Sequence, residues 1–246
     1  MRNRSIPAIS DQDKDYVRSL VIYEDASLIA FDKPAGLAVQ TRGNRGRCLD
    51  HLLWAFARSN GKRPRLVHRI DAVTSGLVLA AKTKPAAAHI SEAFETRRVR
   101  KTYFALVEMT QPIARSGSAV DHLISRGRKT FVATSHGQGG EARTDWTIMA
   151  EGTASTALLR ARPVTGRMHQ IRVQLSAMGC GILGDQLYGA GSEKASRLML
   201  HAFDLSLQHP DGSDMTLAAP LPDDFLAVLD EYGIPTGASP AMPAAG

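Results

Sequence analysis

Leu66-Val67-His68-Arg69-Ile70-Asp71-Ala72-Val73-Thr74-Ser75-Gly76-Leu77-Val78-Leu79-Ala80-Ala81-Lys82 holds two short apolar runs separated by a polar turn. LVHRI and GLVLAAK are bounded and rich in Val, Ile and Leu, the pattern of buried strands. The residues Asp-Ala-Val-Thr-Ser turn the chain between them. A carboxylate, Asp71, therefore stands at the end of one strand and just before another, held at the edge of a sheet. Taken alone, such an aspartate reads more readily as a turn residue bonding its own backbone. The surrounding chain has to decide.

On the N-terminal side, SLVIYEDASLIAFDKPAG (19–36) reads as two strands, Leu20 to Tyr23 and Leu28 to Phe31, stopped by Pro34 and Gly36. CLDHLLWAFARS (48–59) repeats Leu49, Leu52, Leu53 and Phe56 at helical intervals. On the C-terminal side, PAAAHISEAFETRR (85–98) starts with a proline where a first helical turn tolerates one. KTYFALVE (101–108) reads as a strand, and residues 110–140 as a long excursion from the core. Strands resume at about 142–150 and 156–162. MHQIRVQLSAMG (168–179) is an amphipathic helix, AFDLSLQHPDGSDMTLAA (202–219) a hairpin about Asp211-Gly212, and PDDFLAVLDEYG (222–233) a closing helix. Adjacent antiparallel strands with interspersed helices predict an α+β fold on a central mixed, mostly antiparallel sheet. The expected division is a polar tail over 1–16, one folded domain over 17–233, and an Ala/Pro-rich disordered tail over 234–246.

The 246 residues carry a net charge of +6 and an isoelectric point of about 9.5. The positive residues gather at Arg42, Arg45 and Arg47; at Lys62, Arg63 and Arg65; at Arg97, Arg98, Arg100 and Lys101; and at Arg126, Arg128 and Lys129. Four such clusters in one chain point to a polyanion, because each cation near a phosphate releases condensed counterions. No apolar run reaches the ~20 residues of a membrane span, and the first residues are polar, so a cytoplasmic protein is expected. Cys48 and Cys180 stand far apart in no metal-ligand spacing and read as free thiols. There is no phosphate-binding GxxxxGK[ST] loop, no GxGxxG after a strand, no HExxH and no GxSxG. Any chemistry must run on carboxylate, phenol and guanidinium groups.

Three segments set polar groups tightly against apolar elements. They are HRIDAVTSG (68–76), RKTYFALV (100–107) and TGRMHQIRVQLSAMG (165–179). In the third, the helix start offers amide donors and a favourable dipole to an anion. Together these segments resemble the RluA-type family of pseudouridine synthases, whose hallmark is an HRLDxxTSG-like stretch around a catalytic aspartate. IYEDASLIAFDKPAGL (22–37), GILGDQLYG (181–189) and RLMLHAFDLSLQHP (197–210) resemble further segments of that family in the same order. Ala72, Gln174 and Cys180-Gly181 depart from its commoner residues. The small N-terminal RNA-binding domain of many members has no counterpart in the roughly 17 residues before the first strand.

The resemblance implies isomerisation of uridine to pseudouridine in structured RNA, ribosomal or transfer, without cofactor or metal. It implies Asp71 as nucleophile, or as base at the sugar, as carboxylates serve in glycosidases. It implies Arg172 as a bidentate partner keeping Asp71 ionised, and Tyr103 as the group that relays or accepts the carbon-5 proton. Arg69 would fill the space left by an everted base. His68, Thr74, His169, Gln170 and Leu200 would line the substrate site, and Lys101 and Arg167 would hold phosphates. No DNA or membrane partner is expected, and a monomer suffices. Two rivals share parts of this pattern: a non-catalytic RNA-binding or ribosome-assembly protein on the same fold, and a hydrolase of nucleosides or glycosides.

Overall fold

The computed structural model describes residues 9–41, 47–134, 138–189 and 195–238. Its strands are β1 (Val21–Glu24), β2 (Leu28–Lys33), β3 (Arg65–Leu66), β4 (Ser75–Ala81), β5 (Arg100–Met109), β6 (Ser116–Arg126), β7 (Lys129–Val132), β8 (Gly140–Glu151), β9 (Thr156–Pro163), β10 (Cys180–Ile182), β11 (Leu200–Gln208) and β12 (Asp214–Ala218). All join one sheet with the order β1-β2-β4-β11-β5-β9-β8-β6-β7; β3 lies on β4, β10 on β5 and β12 on β11. Every pairing is antiparallel except β4 with β11, so the sheet is mixed and mostly antiparallel as expected. The helices are α1 (Asp11–Ser19), α2 (Leu49–Leu52), α3 (Lys84–Glu95), α4 (Gln170–Ala177) and α5 (Asp223–Glu231).

The β4–β11 junction sets the site. The two strands meet at only two pairs, His201 with Ser75 and Ala202 with Gly76. Gly76 has φ +108, and a Cβ there would collide with the Ala202 carbonyl, so the residue ending the TSG motif can only be glycine. Beyond the junction β12 replaces β4 beside β11. Leu205 and Leu207 of β11 share a buried cluster with Leu77 and Leu79 of β4 and with Ala86, Ile90 and Ala93 of α3. On β2 and β4 the alternate residues Ile29, Phe31, Val78 and Ala80 pack with Leu49 and Leu52 of α2. The largest cluster joins β5 and β9 to α4 and α5 through Phe104, Leu158, Ile171, Leu175, Phe225 and Leu229.

Several expectations need correction. Residues 116–132 of the expected excursion form β6 and β7, which extend the sheet; alternation along β6 is masked in the sequence because an apolar residue, Val120, stands exposed beside the buried Ala119. Of LVHRI only Leu66 is strand, the second residue of β3, since His68 to Thr74 bends away to form the site. The 48–59 helix is one α-turn followed by a 3-10 turn ending at Phe56. Residues 11–19 are not a loose tail but α1, capped by the Ser10 side chain accepting from the Asp13 amide, with Val17 buried among Leu49 and Leu52. At the other end Ile234 is buried and bonds Leu229, and residues 236–238 make a 3-10 turn. The remainder of the expected disordered tail, and the cluster residues Arg42 and Arg45, lie outside the described residues.

Candidate active site

Asp71 closes the turn between β3 and β4: its carbonyl accepts the Thr74 amide at 3.1 Å. The next carbonyl, Ala72, accepts from the Gly36 amide at 2.8 Å and from Lys33 Nζ at 3.0 Å. Lys33 is fully buried and also donates to the Pro34 carbonyl at 2.8 Å. Burial pulls its ammonium down to about 7, although Asp71 and Asp32 oppose that shift. A buried cation thus clamps the turn carrying Asp71, a role that the sequence reading missed in DKPAG.

That clamp has a consequence for stability. The folded chain releases the Lys33 proton near pH 7, whereas an unfolded lysine holds it to about 10.5. Between those values the unfolded chain binds more protons, so the unfolding free energy rises with pH there. Lys33→Met should flatten that rise relative to wild type, as read by urea unfolding at several pH values across the interval. Parallel curves for the two proteins would mean that Lys33 is not a buried titrating group.

A pocket of about 590 Å³ opens over the turn, and all eleven residues named from the sequence line it. From the turn come His68, Arg69, Asp71 and Thr74. β5 supplies Lys101 and Tyr103, the segment before α4 supplies Arg167 and His169, α4 itself Gln170 and Arg172, and β11 Leu200. Asp71 keeps 22% of its side chain exposed to this space.

Arg172, only 4% exposed, reaches Asp71 Oδ2 with one nitrogen at 3.4 Å. The two-pronged pair expected between them is made elsewhere. Arg172 Nε and Nη2 grip Asp185 at 2.8 and 2.6 Å, and the Asp185 side chain is fully buried. Asp185 also accepts the Leu187 and Tyr188 amides. Desolvation pushes its carboxyl up, but Arg172 and those amides outweigh it and hold it below the usual range. Asp185 is the main omission of the sequence reading. Its signal was GDQLYG, where an aspartate follows a glycine at φ +71 in an apolar stretch.

His169 stands at the start of α4 in the left-handed region, φ 54, which a non-glycine residue adopts only when its surroundings hold it. Its Nδ1 lies 2.8 Å from the Tyr188 hydroxyl, which accepts the Thr130 amide at 2.7 Å. With the hydroxyl proton given to Nδ1, the ring proton is on Nε2, 3.7 Å from Asp71 Oδ2. Burial lowers the pKa of His169 despite the nearby carboxylates, so the ring is a neutral donor. Tyr188 also lies with its ring 5.1 Å from the Arg172 guanidinium.

The other residues divide by what they touch. Tyr103 turns a hydroxyl without a hydrogen-bond partner among the described residues towards the pocket; burial first, then Asp71, raise its pKa above the ordinary phenol value. That direction is wrong for a phenolate base. His68 accepts the Leu79 amide at 2.8 Å, stacks on Phe94 and is held down to about 3 by burial, so it is a neutral wall. Gln170 spends its amide inward, accepting from Thr165 Oγ1 and the Arg167 amide and donating to the Arg143 carbonyl and Thr144. Lys101 donates to the Thr165 carbonyl at 3.2 Å, and Arg167, exposed, to the Glu141 carbonyl at 3.1 Å. Arg69 is exposed at the rim, whereas Thr74 and Leu200 are buried in the wall. Of the basic clusters, Arg63 is used internally, paired with Asp50 and lying over Trp54.

Comparison with known proteins gives the family and the fold. Residues 27–177 match the family described as RNA pseudouridylate synthase. The chain is 38% identical over 230 residues to ribosomal large subunit pseudouridine synthase D of Nitrosomonas europaea, covering 85% of this chain and 64% of that one. It therefore spans somewhat less than two thirds of that relative. It is 33% identical over 211 residues to an uncharacterised RNA pseudouridine synthase of Zymomonas mobilis, covering 83% and 94%. Among solved structures, human RNA pseudouridylate synthase domain containing 4 superimposes with a TM-score of 0.74 at 25% identity, over 90% of this chain and 97% of that one.

Proposed function

Because this chain belongs to the RNA pseudouridylate synthase family, we propose that it converts uridine to pseudouridine in structured RNA, with Asp71 as the catalytic carboxylate. The observation that carries the reading is Asp71 itself, partly open to a 590 Å³ pocket and faced there by one nitrogen of Arg172 and the neutral His169. The reaction is an isomerisation. The bond between the sugar and N1 breaks, the uracil turns, a bond forms to carbon 5, carbon 5 gives up a proton and N1 gains one. Asp71 attacks the anomeric carbon or takes a proton at the sugar. Arg172 and His169 steady its charge before and after. Tyr103 serves as a neutral phenol, accepting one proton as it gives up its own, and so needs no ionised form. Relatives named for the large ribosomal subunit favour ribosomal RNA as substrate over transfer RNA.

We place this activity in the cytoplasm and on a monomer. No helix among the described residues is long and apolar enough to cross a membrane, and Cys48 and Cys180 are both free and buried. The deciding assay is tritium release from RNA labelled at carbon 5 of uridine. The proposed activity releases tritium into water and leaves the uracil attached. A binding protein releases none, and a hydrolase frees the base.

Arg126, Arg128 and Lys129 crown the β6–β7 turn and are exposed, placed to meet phosphates. Replacing all three with Gln should weaken RNA binding and reduce the slope of log affinity against log salt by about 2, with kcat unaltered. An unchanged slope would put this turn away from the RNA.

A further inference from the structure

Side chains alternate across a strand, and Lys101, Tyr103 and Pro163 line the pocket, so Arg100, Arg160 and Arg162 stand on the reverse of the sheet. β9 pairs with β5 through Phe104 and Arg160, and β11 sets Asp204 opposite Thr102, which brings these side chains together. Burial raises the carboxyl of Asp204, while Thr102 and then Arg162, Arg100 and Arg160 pull it down. Arg160 is lowered by burial and next by Arg162 beside it. None of the three arginines makes an ion pair within 4 Å among the described residues. Cover stops short of them. Phe104, next on this side after Thr102, is buried with Phe225 and Leu229 of α5, whereas Arg100 and Arg162 are exposed. On β8 Asp145 stands opposite Arg162, but its carboxylate is taken by Arg143 and Ser118; four guanidinium groups against two carboxylates on adjacent strands is an arrangement that folding alone disfavours.

We propose that this reverse face is a second docking surface for RNA, gripping the phosphate backbone of a segment that leaves the pocket around the ends of β5 and β9. Along that path Arg97 and Arg167 lie at the pocket rim, with Arg97 three residues from Arg100 and 3.8 Å from the Glu141 carboxylate. A guanidinium fork matches a phosphate bidentately, and contacts of this kind position a large RNA without reading its sequence. Of this surface only Arg100 belongs to a cluster visible in the sequence; Arg160 and Arg162 stand on a separate strand and join it only in the fold. The proposal rests on RNA being the substrate, and it adds that the RNA must be larger than the element filling the pocket.

The test compares wild type with Arg100→Gln/Arg162→Gln on two probes: transcribed large-subunit ribosomal RNA, and a stem–loop cut from it around a uridine found modified. Both positions are exposed, so the fold should persist. For the long RNA, Kd should rise roughly tenfold and the salt slope become shallower by about 2. Kd and turnover on the stem–loop should not change, and Arg100→Lys/Arg162→Lys should recover most of the long-RNA affinity. Unchanged affinity and slope on the long RNA would overturn the proposal and leave the face to an acidic protein or a second copy of the chain. Equal loss on both probes would also overturn it, since the arginines would then act through the pocket. Absence of turnover by wild type would count against the activity alone, because the docking result is read from binding.

Discussion

Asp71→Asn should lower pseudouridine formation by more than about 10⁴-fold while leaving Kd for RNA within a factor of two or so. The amide keeps the shape of the carboxylate but has no charge with which to attack a sugar carbon or take a proton. Binding should survive because the groups set to meet the RNA, Arg69 and Arg167 at the rim and the exposed β6–β7 turn, stand apart from that carboxylate. Stability should also survive. Asp71 touches Arg172 through a single 3.4 Å contact, and the firmer grip of that arginine is on Asp185. Tritium release and filter binding on the same RNA read both quantities. Turnover above about 1% of wild type would remove Asp71 from the chemistry and shift attention to the hydrolase or binder readings.

How much of this was legible in the sequence depends on how locally each feature is encoded. The strands β2, β4 and β5 announce themselves because each is a short apolar run with a breaker beside it. The residues of the pocket were legible because they lie in three compact segments, and the fold brings every one of them to a single cavity. Their roles were less so. Gln170 was expected to face substrate, yet its donors and acceptor are consumed by Thr165, Arg167, Arg143 and Thr144, partners whose meeting depends on β8 lying beside α4. The same holds for Asp185 and Lys33. Asp185 is a single charge in an apolar stretch and Lys33 follows Asp32 at a strand end, and only the tertiary fold reveals whether such a charge is buried and what answers it. The helix α1 was missed for a different reason: seven of its nine residues are polar, and a lone buried Val17 makes no stripe.

Asp185 leads to the second large effect. Arg172→Ala should cost about 3–5 kcal/mol of folding stability, because it strands a fully buried carboxylate with only two backbone amides as partners. Asp185→Asn should also destabilise, through the opposite charge, since buried Arg172 then keeps only an amide oxygen, the Tyr188 ring and a distant contact to Asp71 to answer it. Both variants should lose most activity, although Asp185 does not line the pocket. A loss of folding could by itself explain inactivity, so the informative protein is Arg172→Met/Asp185→Leu. Removing both charges together spares each its unpaired partner, and apolar replacements of a buried ion pair are often neutral or stabilising. Its midpoint in urea should return towards wild type, yet it should remain inactive, because no guanidinium faces Asp71. Recovery of stability without turnover would separate the structural work of the pair from the electrostatic work of Arg172 on the reacting carboxylate. If the double variant turned over normally, the guanidinium would be scaffolding and Asp71 would need another counter-charge. If Asp185→Asn alone kept full activity, Arg172 would be held in place by something other than Asp185.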